Sequence, residues 1–229
     1  MKTSAARDTW VSYGRNSVSS GLTRTFFWDW YQRAGHGLEL LGDVTNRAVV
    51  ELGSGAGKQA AALVRTQAPA RVTAVDSSSA QHGRARELHA DLTKLEMVHA
   101  DAVAYLQQRP GAFNVCYSVF GAIDFTDPHT LLPAISTALA PDGLLVFSTL
   151  GHFHTGHPAE TDARPTNIPV RQPDGTKGTL ARWVLDIPVW TRLLEEAGFE
   201  TPETLTVNDP GPDGRPPIAT NIFRARRSN

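Results

Sequence analysis

The segment Val49-Val50-Glu51-Leu52-Gly53-Ser54-Gly55-Ala56-Gly57-Lys58 constrains the fold more than any other stretch of the chain. An apolar run enters a cluster of glycines and leaves it as a helical pattern, GKQAAALVRTQ. Without a Cβ the backbone can turn sharply there and a ligand can approach it closely. A strand that turns directly into a helix is the opening of a β-α unit, and the following residues keep that rhythm. RVTAV, LEMVH, NVCYSVF and GLLVFSTL read as strands, and 79–92, 102–108 and 129–140 as helices, the last ended by Pro141 and Gly143. GLLVFSTL is an unbroken apolar run, as a strand covered on both faces requires. A helix opened by Pro188 and closed by Gly198 follows, with Pro first and Gly last in the usual order. FETPETLTV and PPIATNIFRARR supply a closing pair of strands. The expectation is α/β, a Rossmann-like parallel sheet with helices on both faces.

Two segments break the rhythm. Residues 1–47 are rich in aromatic side chains, among them Trp10, Tyr13, Phe26, Trp28 and Trp30, and show no strand alternation; they read as helices packed on the domain, or a cover. Residues 151–180 contain four prolines, three histidines and four glycines with no period, so they read as a long functional loop inserted in the domain 48–229. The whole chain has 229 residues with 22 Lys+Arg against 23 Asp+Glu, a length for one α/β domain and a charge that advertises no polyanion partner. The basic tail Arg224, Arg226, Arg227 is too short for a nucleic-acid arm. The single cysteine, Cys116, lies in an apolar run and reads as core, so no disulfide is expected. Neither a secretory leader nor a run of about 20 apolar residues is present, and the expectation is a soluble, cytoplasmic protein.

What sits on the glycine turn follows by elimination. A Walker loop needs Gly where Leu52 stands and Ser or Thr where Gln59 stands, and a dinucleotide fingerprint needs its third Gly where Lys58 stands. Glu51, two residues before the first glycine, would repel a pyrophosphate and favour a cation. Asp76 ends RVTAVD, nineteen residues past Gly57, near the ~20 expected of an acid that receives two ribose hydroxyls. A positively charged nucleoside without phosphates satisfies both acids, and S-adenosylmethionine fits.

ELGSGAG, then AVDSS, then HADA resembles the class I S-adenosylmethionine-dependent methyltransferases, by motif over 48–150 and by element order beyond. The resemblance implies a seven-stranded sheet, mostly parallel with an antiparallel closing strand, and an N-terminal helical lid. It places Gly53, Ser54, Gly55 and Gly57 under the methionine part, Asp76 with Ser77 at the ribose, and Asp101 with Ala102 at the adenine. YSVFGAIDFTDPHTLLPAISTALAPDGLLVFS, with YGRN and GHG earlier, is similar to small-molecule methyltransferases of bacterial secondary metabolism. In that group Tyr13 would reach the cofactor carboxylate, Phe120 or Tyr117 would pack near the sulfonium, where an aromatic face stabilises a cation, and Ser118 between them would belong to the cofactor site. The Asn/Asp-Pro-Pro-aromatic motif of enzymes that methylate flipped bases is replaced by Tyr117-Ser118-Val119-Phe120, against a nucleic-acid acceptor.

Methyl transfer is an in-line displacement and needs a base only when the acceptor carries a proton to lose. His152 and His154, directly after the fifth strand, are the first candidates, with Asp124, His129 and His36 behind them. His152, His154 and His157 with Glu160 and Asp162 admit a zinc reading, but nothing fixes their geometry and no metal is expected. The alternatives are a non-catalytic S-adenosylmethionine-binding partner or sensor, and a nicotinamide oxidoreductase, which Lys58 disfavours.

Overall fold

The computed structural model describes residues 26–33, 35–171, 175–212 and 214–228. Nine strands and six α-helices occur among them: β1 Ala48–Leu52, α1 Lys58–Thr66, β2 Arg71–Asp76, α2 Ser79–Leu88, β3 Leu95–His99, α3 Ala102–Gln107, β4 Phe113–Val119, α4 Ala122–Phe125, α5 Pro128–Ala138, β5 Leu139–Leu150, β6 Thr166–Arg171, β7 Lys177–Arg182, α6 Ile187–Glu196, β8 Glu203–Asp209 and β9 Ile218–Arg226. Seven strands form one sheet in the order β3-β2-β1-β4-β5-β9-β8. β1 to β5 pair in parallel, and β9 runs antiparallel to both β5 and β8. The strand order reverses between β1 and β4, so the crevice beyond their carboxyl ends is where an open α/β sheet takes a ligand.

Period-two alternation sorts the strands between two cores. Val50, Leu52, Cys116, Leu145 and Phe147 face Leu106, Ile123, Leu131 and Trp190 of the helices on one side. Val49, Val72, Ala74, Tyr117 and Val146 face Ala60 and Leu63 of α1 on the other, together with Phe26, Trp28, Leu41 and Val44. The helices start where the sequence offers caps: Ser78, Asp101, Asp127 and Asp186 each accept a backbone N–H of the turn they open. Asn114 Oδ1 accepts the Ala48 N–H at 3.0 Å and pins the start of β1.

Two expectations are corrected. Residues 151–180 are not a structureless loop: β6 and β7 form an antiparallel hairpin with Thr166 opposite Arg182 and Arg171 opposite Lys177. The described part of 1–47 is not a set of helices laid over the domain. Its one helical turn is the 3-10 turn Leu38–Leu41, and Phe26 and Trp28 are built into the sheet's own core. Residues 1–25, Tyr13 among them, lie outside the described residues. Among the described residues no helix is long and apolar enough to cross a membrane, and no group of three or more His, Cys, Asp or Glu is arranged to hold a metal ion.

Candidate active site

The glycine turn hangs on β2. Gly53 N–H and Ser54 N–H both donate to Val75 O, at 2.8 and 3.1 Å, and Gly57 N–H returns to Ser54 O at 2.9 Å. Gly53, Gly55 and Gly57 take φ of 74°, 54° and 72°, the left-handed region that other residues adopt at a cost. Gly53 is needed for a second reason: a Cβ there would lie 2.2 Å from Ala122 N, because the Phe120–Gly121 corner after β4 packs directly on the turn. Gly121 repeats the constraint from the other side, with a Cβ placed 2.4 Å from Leu52 O. Gly55 differs, since nothing lies within 4 Å of its added Cβ. The open face of the turn is therefore at Gly55.

Asp76 stands beside that face. Its Oδ2 accepts Gly55 N–H at 2.7 Å and its Oδ1 accepts Ser78 N–H at 2.8 Å. Burial holds the carboxyl pKa above the ordinary aspartate value, against the lowering effect of those two N–H groups and of His99 and His82. Each oxygen spends one lone pair on the protein and keeps another, so two hydroxyls of a ribose can still be received. Ser54 is 5 % exposed and its hydroxyl has no hydrogen-bond partner, a cost that a polar ligand group on the turn relieves. The open glycine, the unpartnered hydroxyl and the half-used carboxylate fit S-adenosylmethionine. We expect Asp76→Ala to weaken S-adenosylhomocysteine binding by about tenfold to a hundredfold, the worth of a charge-assisted hydrogen bond. Calorimetry showing wild-type affinity would remove Asp76 from the site.

The other anticipated cofactor residues also make bonds within the protein. Glu51 does not line the open face: it is 2 % exposed, and its Oε2 accepts both Ala60 N–H in the first turn of α1 and the Tyr117 hydroxyl, each at 3.1 Å. Burial pushes its pKa up to about 8, against the lowering effect of those two donors. A carboxyl that keeps its proton to so high a pH in the folded chain favours folding most in acid, and that contribution declines as pH rises from the ordinary carboxylate range toward about 8. Tyr117 is fully buried, its ring edge-on to Phe26 and Trp28 at 5.8 and 6.2 Å, on the sheet face that α1 covers. Ser118 donates to Leu52 O at 2.8 Å and ties β4 to β1. Asp101 caps α3 through Val103 N–H and Ala104 N–H, Ala102 is buried behind it, and Ser77 presents its carbonyl to His99 Nε2 at 3.2 Å.

Phe120 is the aromatic left at the crevice. Its φ of 46° is strained for a residue with a Cβ. Its ring meets Trp30 edge-on at 5.0 Å. Trp30, Tyr31, Phe120 and Phe153, all partly buried, pack over Leu150, Val184 and Ile218. The strand beyond fixes this wall: Trp30 N–H donates to Thr220 Oγ1 at 3.1 Å, and the Tyr31 hydroxyl to Pro216 O at 2.8 Å.

The base candidates separate here. His152 has both ring nitrogens engaged by backbone, Nδ1 with Phe153 O at 2.9 Å and Nε2 accepting Ala219 N–H at 3.2 Å. Asp124 is fully buried and holds Arg182 of β7 through Nε at 3.1 Å and Nη2 at 2.5 Å. His36 pairs with Glu39 at 3.4 Å, and His129 sits in the first turn of α5. His154 alone of the five lies against the aromatic wall, its ring 4.5 Å from Trp30. His154 is an exposed side chain, yet the desolvation it has against the wall, then the charges of Arg182 and His152, hold its pKa below the ordinary histidine value. Neither Arg182 nor the hairpin that carries it was anticipated from sequence.

Comparison with known proteins agrees with this geometry. The methyltransferase-domain family matches residues 27–204. No curated protein matches the chain in sequence. Among solved structures, an S-adenosylmethionine-dependent methyltransferase from Mesorhizobium loti is similar at 20% identity and TM-score 0.59, covering 82% of this chain and 94% of that one. The 1,6-didemethyltoxoflavin-N1-methyltransferase of Burkholderia thailandensis is similar at 20% identity and TM-score 0.57, over 81% of this chain and 72% of that one. The cyclase SpnF is similar at 16% identity and TM-score 0.62, over 83% and 78%. At such identities the structural likeness speaks for the fold, and the family match carries the assignment. The chain belongs to the methyltransferase-domain family and is a class I, S-adenosylmethionine-dependent methyltransferase.

Proposed function

We propose that the methyl acceptor is a small, partly aromatic molecule with an ionisable O–H or N–H, of the kind made in secondary metabolism, and that His154 receives its proton. The observation that carries this reading is the aromatic wall of Trp30, Phe120 and Phe153 with the His154 imidazole set on it at 4.5 Å from Trp30. Aromatic faces hold a flat ring by stacking and give it one orientation. When bound, the cofactor supplies an electrophilic methyl group on a sulfonium. The chain's own part is to seat the nucleoside at Asp76 and the turn, to present the acceptor from the wall, and to take its proton at an imidazole nitrogen of His154. The Burkholderia thailandensis neighbour, crystallised with 1,6-didemethyltoxoflavin, supports an acceptor of that size. SpnF, named a cyclase, shows that this fold alone does not fix the reaction.

The test is transfer from S-adenosylmethionine carrying a radiolabelled methyl group to a cell extract split into small-molecule, protein and nucleic-acid fractions. Label is expected in the small-molecule fraction. Label confined to either macromolecular fraction would overturn the acceptor assignment, and S-adenosylhomocysteine binding with no transfer at all would favour a sensor.

A further inference from the structure

The peptide between Ala56 and Gly57 is held at both ends. Its N–H, that of Gly57, donates to Ser54 O at 2.9 Å. Its carbonyl, that of Ala56, lies 3.0 Å from Nε2 of His89. A carbonyl only accepts, so Nε2 carries the proton and Nδ1 is bare, and Nδ1 is buried without a partner. The imidazole is thus committed to one bond, and that bond is to the turn.

His89 is well fixed for the task. It is 7 % exposed and follows the last residue of α2, where its N–H donates to Ala85 O and its carbonyl accepts Leu92 N–H, both at 3.1 Å. Its ring also packs the underside of the turn: a Cβ at Gly57 would meet His89 Cδ2 at 3.4 Å and Met97 Cε at 3.0 Å. Gly57, free to rotate about φ, is the residue at which this peptide would flip. A flip would withdraw Gly57 N–H from Ser54 O and loosen Ser54, whose unpartnered hydroxyl stands on the ligand turn.

We propose that His89 is a positioning residue for the cofactor, locking the Ala56–Gly57 peptide so that the turn is set before the ligand arrives. The proposal rests on the glycine turn being the S-adenosylmethionine seat. It makes the underside of the seat, supplied by α2 and β3, part of the binding apparatus although His89 touches no ligand. Preorganisation of this kind improves affinity by removing an ordering cost.

The test compares wild type, His89→Leu and His89→Gln by calorimetry with S-adenosylhomocysteine and by hydrogen exchange of the Gly57 amide in the free protein. Leu keeps the packing and loses the donor, whereas the Gln amide nitrogen can stand where Nε2 stood. His89→Leu is expected to bind about tenfold more weakly, the scale of one lost hydrogen bond, and to expose the Gly57 amide to faster exchange. His89→Gln is expected to stay within about threefold of wild type and keep the protection. Should His89→Leu fold poorly, His89→Asn, too short to reach Ala56 O, makes the same comparison and is expected to behave as Leu. Wild-type affinity in the Leu or Asn variant, or equal weakening in the Gln variant, would overturn the proposal. A wild type that binds no S-adenosylhomocysteine would instead strike the seat itself.

Discussion

His154→Gln is expected to lower kcat for methyl transfer by about 10²–10⁴, the usual contribution of a positioned base, while S-adenosylhomocysteine affinity stays at the wild-type value. Gln has similar reach and hydrogen-bonding capacity but cannot take up a proton. The ring of His154 lies 4.5 Å from Trp30 and has no backbone bond of the sort that occupies His152. Although the side chain is exposed, its pKa is held down by desolvation against the wall, with Arg182 and His152 adding to the effect. The uncharged form therefore persists below the ordinary histidine value. Only that form accepts a proton, so wild-type kcat should be level through neutral pH and fall on the acid side, below about 6.5. The acid limb should be missing in the Gln variant. A variant with unchanged kcat, or a limb that survives the substitution, would take the base role away from His154.

The parallel half of the sheet was legible because its signals are local. Apolar runs, the glycine turn and an acid at a strand end each sit within a few residues of one another, and β1 to β5 with their helices form where those signals lie. The hairpin was missed for an identifiable reason. Thr166, Ile168 and Val170 alternate with Asn167, Pro169 and Arg171, and Leu180 and Arg182 alternate with Thr179 and Ala181, but Pro169 argues against a strand unless the strand is an edge. In a two-stranded sheet both strands are edges, and the Pro173-Asp174-Gly175 run between the two stretches was the turn signal to weigh against it.

The site residues divide on the same principle. Asp76 and the glycines lie together because a strand end and the turn beside it are close in space, and spacing alone brings them to notice. Glu51 was read as facing a cation, yet its carboxyl group turns under the bend to α1 and Tyr117, because alternation in β1 sets side-chain direction and a motif does not. His89 is 33 residues from the carbonyl it holds, and Arg182 is 58 residues from Asp124. Pairings at such separations exist only once the chain has folded, and no local pattern announces them.

The Asp124–Arg182 pair is where a change should cost the most stability. The two side chains are 0 % and 3 % exposed, with Nη2 and Oδ2 2.5 Å apart. Asp124 lies on α4, directly after the corner that packs on the glycine turn, and Arg182 ends the hairpin. The guanidinium also sits 5.3 Å from the centre of Trp30 and 5.1 Å from that of Phe125, so the same group supports the aromatic wall. Removing one partner leaves the other charge buried without compensation, and Asp124→Ala or Arg182→Met is expected to destabilise the fold by about 3–5 kcal/mol in urea denaturation. The paired replacement Asp124→Leu with Arg182→Met leaves no stranded charge and should recover most of that loss. If either single variant lost less than about 1 kcal/mol, the level of a solvent-exposed pair, the buried-pair reading would be wrong. The double variant separates two further roles. A chain that regains stability but not methyl transfer would show that the guanidinium beneath Trp30 orients the aromatic wall for the reaction as well as holding the hairpin, since hydrophobic replacements restore packing and not the charge.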